Sequence, residues 1–303
     1  MMFFTQKGKC FWMRVYEIPE GSKTSKGRAI QNLINIESDD KVKAFICTQD
    51  LKDLEYINKH YVIMVTKQGQ VKKTSLEQYS RPRVNGVAAI TIREDDELLE
   101  AKLTNGESQV LIAVKSGKLV RFEEGKTRPM GRTASGVRGI TLANDKDEVI
   151  GMVSVNKDDI NETQLLVVTE NGYGKRTKLV DDDGEDVYRV TNRGGKGVKT
   201  LNITEKTGAL ISINAVTDED DLMIINKSGL TIRMEVSDLR VMGRATQGVR
   251  LINIKGNDSI AAVTKVMKED EIVEAIDIEA TELNENDEPS IDESSTENTE
   301  NED

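Results

Sequence analysis

Arginine and lysine gather beside glycine in five short stretches of this chain: SKTSKGRAIQNL, SRPRVNGVAAIT, GRTASGVRGITL, TNRGGKGVKTLN and GRATQGVRLINI. In and around them stand Lys23, Lys26 and Arg28; Arg81 and Arg83; Arg128, Arg132 and Arg138; Arg193, Lys196 and Lys199; and Arg244 and Arg250. Recurring cations suit a polyanion backbone, because phosphates require positive charge and donors rather than base-specific shapes. Ser22, Thr24, Ser25, Thr133, Ser135 and Thr246 add hydroxyl donors, and the glycines let backbone amides approach phosphate. The ordinary alternative is a solvated face whose glycines serve tight turns. It suffices for one stretch, but not for five of the same polarity. The fourth is the most concentrated. Thr191-Asn192-Arg193-Gly194-Gly195-Lys196-Gly197 sets three glycines around two cations, a segment costly to order unless it binds something.

Other chemistries find no footing in the residues. The fourth stretch lacks the Ser or Thr after Gly-Lys, at the right distance from an earlier glycine, that a nucleotide phosphate loop needs. His60 is the only histidine and has no plausible Ser/Asp or Cys partner set. Cys10 and Cys47 show no metal-ligand spacing and are expected as reduced, buried thiols. Asp39-Asp40 and Asp95-Asp96 fall in expected turns and are expected as ordinary solvated turn residues.

The elements that position the cations form a repeat. An apolar β-type run, a glycine turn and a basic strand recur as MMFFTQKGKCFWMRV, VIMVTKQGQVKKTSL, VLIAVKSGKLVRFEE, LLVVTENGYGKRTKL and LMIINKSGLTIRMEV. Their turn glycines, Gly8, Gly69, Gly117, Gly172 and Gly229, are 61, 48, 55 and 57 residues apart. The glycines of the basic stretches, Gly27, Gly86, Gly136, Gly197 and Gly248, follow them by 19, 17, 19, 25 and 19 residues. We call these stretches the anchors. Each anchor leads into a short aliphatic strand, such as Ala29 to Ile36 or Val249 to Ile254, then an acidic or Asn-rich turn, then a closing aliphatic strand. Alternation and β-branched residues favour strands throughout. Continuous apolar runs such as Val110 to Val114 imply strands covered on both faces. About four strands in roughly 50 residues is the size of one blade in a radial β architecture. Residues 1–266 are expected as five such blades, approximately 1–50, 60–104, 109–156, 163–217 and 221–266. Helix is expected only as a short turn at Leu51 to Asn58 and over Val266 to Ala280.

Charge divides the chain. Residues 267–303 carry 16 acidic residues and one lysine, which leaves 41 basic and 37 acidic residues, of totals 42 and 53, in residues 1–266. The net charge of −11 therefore belongs to an acidic tail on a mildly basic body. Beyond Thr281 the tail has almost nothing apolar to bury and is expected to be disordered. The opening MMFFTQKGKC is too short an apolar run for a signal peptide, and no stretch reaches the length of a membrane span; a cytosolic compartment is expected.

Taken together, FFTQKGKCFWMRVYEIPE, GRTASGVRGI, NRGGKGVKT and GRATQGVRLI resemble the DNA-wrapping C-terminal domain of DNA gyrase A proteins, which are components of a bacterial type IIA topoisomerase. The resemblance spans residues 1–266. It implies an all-β β-pinwheel, a propeller-like disc whose blades exchange strands and whose basic perimeter wraps double-stranded DNA in support of ATP-dependent negative supercoiling. The family's QRRGGKG-like box corresponds to Thr191 to Gly197, agreeing at Arg193, Gly194, Gly195, Lys196 and Gly197 and departing at Thr191 and Asn192. Five units stand here where the family has about six, with the best box in the fourth rather than the first, so the chain reads as a fragment lacking a first blade and the breakage-reunion region. The family's catalytic tyrosine lies in that region, and none of Tyr16, Tyr56, Tyr61, Tyr79, Tyr173 and Tyr188 takes its role. No cofactor is implied in this chain; ATP and Mg2+ would serve the rest of the holoenzyme. The implied partners are DNA in the nucleoid and, within the gyrase holoenzyme, the N-terminal region of the gyrase A protein and the gyrase B protein. The isolated domain is expected as a monomer. The alternatives are the corresponding C-terminal domain of topoisomerase IV, which typically lacks an intact box, and a protein-binding propeller without a nucleic-acid role.

Overall fold

Hydrophobic residues on successive positions of one strand point to opposite faces, so an unbroken apolar run is stable only where both faces are covered. The computed structural model, which describes residues 1–22, 26–254 and 258–267, provides that cover by stacking one sheet against the next. The strands run in chain order. The first repeat has β1 (Met2–Thr5), β2 (Lys9–Trp12) and β3 (Val42–Ile46). The second has β4 (Tyr61–Thr66), β5 (Gln70–Ser75), β6 (Val87–Ala88) and β7 (Leu98–Thr104). The third has β8 (Gln109–Val114), β9 (Lys118–Glu123), β10 (Val137–Arg138) and β11 (Val149–Val155). The fourth has β12 (Gln164–Thr169), β13 (Tyr173–Lys178), β14 (Val198–Lys199) and β15 (Leu210–Val216). The fifth has β16 (Asp220–Asn226), β17 (Thr231–Glu235), β18 (Val249–Arg250) and β19 (Ile260–Met267).

Sheets and repeats do not coincide. The sheet orders are β3-β1-β2-β6, β10-β5-β4-β7, β11-β8-β9-β14, β15-β12-β13-β18 and β17-β16-β19. Each short anchor strand leaves its own repeat and pairs with the second strand of the preceding one: Cys10 faces Val87, Val71 faces Val137, Leu119 faces Val198 and Gly174 faces Val249. The result is an all-β propeller of five antiparallel sheets laced by exchanged strands. Four sheets have four strands, and the fifth has three among the described residues. At the other sheet edge β3 packs against β7, β7 against β11 and β11 against β15, which makes these the inner strands and the anchor strands the outer ones.

The core consists of the layers between sheets. On β4, Val62 and Met64 pack with the first sheet's Met2 and Phe4, while Ile63 and Val65 pack with the third sheet's Val110 and Ile112. On β12, Leu165 and Val167 face Leu111 and Ala113, and Leu166 and Val168 face Leu222 and Ile224. The one α-helix among the described residues, α1 (Leu54–Lys59), starts three residues after the expected Leu51 because its cap is Asp53: Asp53 Oδ1 accepts the backbone N–H of Glu55 and Tyr56, and Ile57 is buried. No helix there is long and apolar enough to cross a membrane.

Several expectations need correction. Val266 lies in β19 rather than opening a helix, and residues 268–280 are outside those described. Ile30–Asn32 is a short 3-10 turn rather than a strand, because its anchor reaches no acceptor strand among the described residues. Cys10 is buried, but Cys47, just past the end of β3, is exposed. The second acid of both turn pairs is a clamp rather than a solvated residue, and Asp147 takes the same place in the third repeat. Asp40 accepts the backbone N–H of Lys7, Asp96 that of Gln68 and Asp147 that of Ser116, each the residue before a hairpin glycine. Asp258 does the same for Ser228.

Candidate nucleic-acid interface

Numbering each anchor from its glycine reveals a register. Four residues before it stand Arg132, Arg193 and Arg244; two after it stand Arg138, Lys199 and Arg250; eight before it stand Arg128, Arg189 and Arg240. Arg189 and Arg240 escape notice when each anchor is read alone, and alignment on the glycine finds them. All nine lie on the third to fifth anchors, and the residues two past the glycine sit in the outermost strands β10, β14 and β18. Arg132 and Arg193 are half-buried and the other seven are exposed.

The glycine holds this register because of protein backbone rather than phosphate. Gly197 has φ +70°, and a Cβ there would lie 2.5 Å from the Leu119 carbonyl oxygen of the preceding sheet. Gly27 has φ +67° but nothing within 4 Å of that position among the described residues. The first anchor accordingly stands apart: Lys26 and Arg28 are exposed on an anchor whose described residues pair with no strand, and Lys23 lies outside the described residues. In the second anchor Arg81 and Arg83 are exposed but out of register, which places Pro82 and Ala88 at the aligned positions.

Successive anchors are hydrogen-bonded into a belt. The N–H five residues past one glycine donates to the carbonyl two residues before the next: Thr91 to Ala134 at 3.2 Å, Thr141 to Gly195 at 2.9 Å and Asn202 to Thr246 at 3.0 Å. The glycine-rich fourth anchor is ordered by this belt, which corrects the expectation that a ligand must order it. Gly194 N–H donates to the Gly139 carbonyl at 2.6 Å, Thr141 Oγ1 to the Gly194 carbonyl at 2.7 Å, and the Arg193 guanidinium to the carbonyls of Lys126 and Arg138 at 3.1 and 3.2 Å. Gly195 and Lys196 stay exposed. Arg250 donates to the Tyr173 hydroxyl at 2.9 Å and lies over its ring, and this bond, ahead of other causes, pulls the tyrosine's pKa down.

Cations facing inward are treated differently. Lys73 meets the fully buried Glu124 at 2.8 Å; Arg121 donates to the carbonyls of Leu179 and Tyr188 and pairs with Asp186; Arg176 bonds the carbonyls of Leu239 and Ser237 and pairs with Asp218. Each is on a second strand, and its backbone carbonyl receives an N–H from the crossover of the next repeat, Met130, Thr191 and Met242 respectively. None of the nine register cations, nor Lys196, has a carboxylate partner among the described residues. Like charges left unpaired on one belt repel one another and concentrate counter-anions.

A propeller with exchanged strands and an unneutralised basic rim is a known class. The family model "DNA gyrase C-terminal domain, beta-propeller" matches residues 1–49, 60–105, 109–156, 163–217 and 220–267, and the chain belongs to that family. It is 42% identical over 297 residues to the DNA gyrase A protein of Staphylococcus aureus strain MRSA252, covering 98% of this chain and 31% of that protein. It is 44% identical over 270 residues to that of strain NCTC 8325, covering 89% and 29%. The chain thus spans under a third of the length of these relatives. Among solved structures, a DNA topoisomerase IV C-terminal domain superposes with TM-score 0.77 at 24% identity, covering 92% of this chain and 83% of that one. A DNA gyrase A C-terminal domain superposes with TM-score 0.71 at 23% identity, covering 88% and 82%. These two likenesses speak to the fold.

Proposed function

We propose that this domain binds double-stranded DNA without sequence preference and wraps it along the basic rim, in support of ATP-dependent negative supercoiling by a gyrase holoenzyme. The observation that carries this reading is the belt of register cations on the third to fifth anchors, joined by backbone hydrogen bonds and without carboxylate partners among the described residues. In this reading strand breakage, ATP and Mg2+ belong to the rest of the gyrase A protein and to the gyrase B protein, and the domain works beside the nucleoid in the cytoplasm. Kinship at 42–44% to gyrase A proteins favours gyrase over topoisomerase IV. Fluorescence anisotropy with labelled duplexes should show affinity falling linearly on a log–log plot against salt. Affinity that ignores salt, or no binding at low salt, would leave the protein-binding propeller as the better reading.

The fourth anchor is assigned to the path of the DNA rather than to raw affinity. Arg193 ties the Lys126 turn to Arg138 of β10 by their carbonyls, and Lys196 is exposed beside it. Changing both to alanine should reduce bending of a short duplex in an energy-transfer assay more than it reduces affinity. Unchanged bending would deny the loop this role. The acidic residues 267–303, a net of −15, compete for the same cations. Deleting them should tighten DNA binding, with the gain shrinking as salt rises; equal affinity of both chains at low salt would count against competition.

A further inference from the structure

Two lysines lie beneath the rim rather than on it. Lys72 on β5 and Lys175 on β13 occupy the same place, three residues past the hairpin glycines Gly69 and Gly172, and both are fully buried. Lys72 Nζ donates at 2.5 Å to the Arg132 carbonyl of the next repeat's anchor and at 2.5 Å to the Ala89 carbonyl. Lys175 Nζ donates at 2.5 Å to the Gly243 carbonyl and at 3.1 Å to Thr246 Oγ1, again in the next repeat's anchor. Each ammonium thus holds from below the loop that carries a rim arginine, Arg132 or Arg244.

Neither lysine has a carboxylate partner among the described residues. Around Lys72 the titratable and charged groups are Arg132, Tyr79, whose hydroxyl shares the Ala89 carbonyl, and Cys10, which lies near both of these. Around Lys175 they are Arg244 and Tyr188, whose hydroxyl meets Thr200 Oγ1. Each ammonium therefore faces a like charge across the loop it holds.

We propose that Lys72 and Lys175 are positioning residues of the rim, whose charges are completed by a phosphate backbone lying outside the loops they hold. The inference rests on the DNA-binding reading and adds a regulatory property to it. Burial first, then the nearby arginine, lowers the pKa of Lys72 to about 7 and that of Lys175 to about 8. A polyanion across the loop favours the charged forms, so binding takes up protons and, by linkage, affinity falls as pH rises through this window. The stability of the free domain moves the other way. Between these values and the ordinary lysine range the folded chain holds fewer protons than the unfolded one, so stability rises with pH.

Calorimetric titration of a short linear duplex, at about pH 8 in two buffers of different ionisation enthalpy, reads the uptake directly, and it should be on the order of one proton per bound domain. The doubly substituted Lys72→Met/Lys175→Met chain should lose it. The Lys72→Arg/Lys175→Arg chain should also lose it while keeping both charges, because arginine does not titrate there; it carries the test if the methionine chain fails to fold. Buffer-independent enthalpy in the wild type with DNA bound, or undiminished uptake in the substituted chains, overturns the proposal. Absence of binding by the wild type at low salt overturns the DNA-binding reading itself.

Discussion

A chain with Arg132, Arg138, Arg244 and Arg250 all changed to alanine is expected to bind every duplex sequence more weakly by about the same factor. The four stand at two positions of the register, on the third and fifth anchors, and none is paired with a carboxylate among the described residues. Their charge is therefore available to phosphate. If each releases about one counterion, the slope of log affinity against log salt should flatten by roughly 3–4 units. Affinity near 0.1 M salt should then fall by on the order of 10³-fold. The side chains of Arg138 and Arg244 are exposed, and the carbonyls of Arg132 and Arg138 that receive Lys72 and Arg193 survive the change. The melting temperature should fall only by the loss of the surface contacts of Arg250 with Tyr173 and Asn253 and of Arg244 with the Lys199 carbonyl, which separates lost contacts from lost fold. A salt slope identical to that of the wild type would remove the rim as the contact surface.

The second expected result concerns stability. Gly197→Ala and Gly27→Ala replace the same residue type at the same position of the repeat, with nearly the same left-handed φ. Both incur the cost of a side chain in that conformation, about 1–2 kcal/mol. Only Gly197 also drives a Cβ against the Leu119 backbone, where the strand β9 is paired on both sides and cannot retreat. Its total should reach roughly 3 kcal/mol or more, while Gly27→Ala stays near the conformational term alone. Denaturant unfolding of the two single variants decides it. Equal losses would mean that the anchor glycines serve only their own turns, and that seating on the preceding strand contributes nothing.

For the cations, sequence reasoning stopped short for a physical cause: a repeat unit in the chain is not a packing unit in space. The unbroken apolar run Val110 to Val114 announced a strand covered on both faces, and β8 is one. The two glycines per copy announced turns at fixed offsets, and both families of glycine have positive φ. Yet Arg121 and Lys175 read in the chain as members of a basic strand, with nothing to distinguish them from Lys118 or Lys178. Their burial depends on which residues of the next repeat cross over them. Asp40 and Asp147 differ in that the hairpin they clamp belongs to their own repeat; they look like turn acids until it is brought beside them from about 30 residues away. Arg189 and Arg240 were legible in principle, since counting back from the anchor glycine finds them, but counting needed a reason to prefer that register.

What the amino-acid order determined by itself was therefore the unit and its polarity: an aliphatic strand, a glycine turn, a second strand, and an anchor of glycine and cations, repeated five times ahead of an acidic segment. Period-2 patterning and turn chemistry are local, and they remain readable without neighbours. The tertiary structure decided which strand each anchor completes. It thereby decided which cations are sealed between blades with carbonyl and carboxylate partners, and which line the outer edge with none among the described residues. The reason is that a cation's meaning is set by what lies within a few ångströms of it, and here those neighbours come from the adjacent repeat.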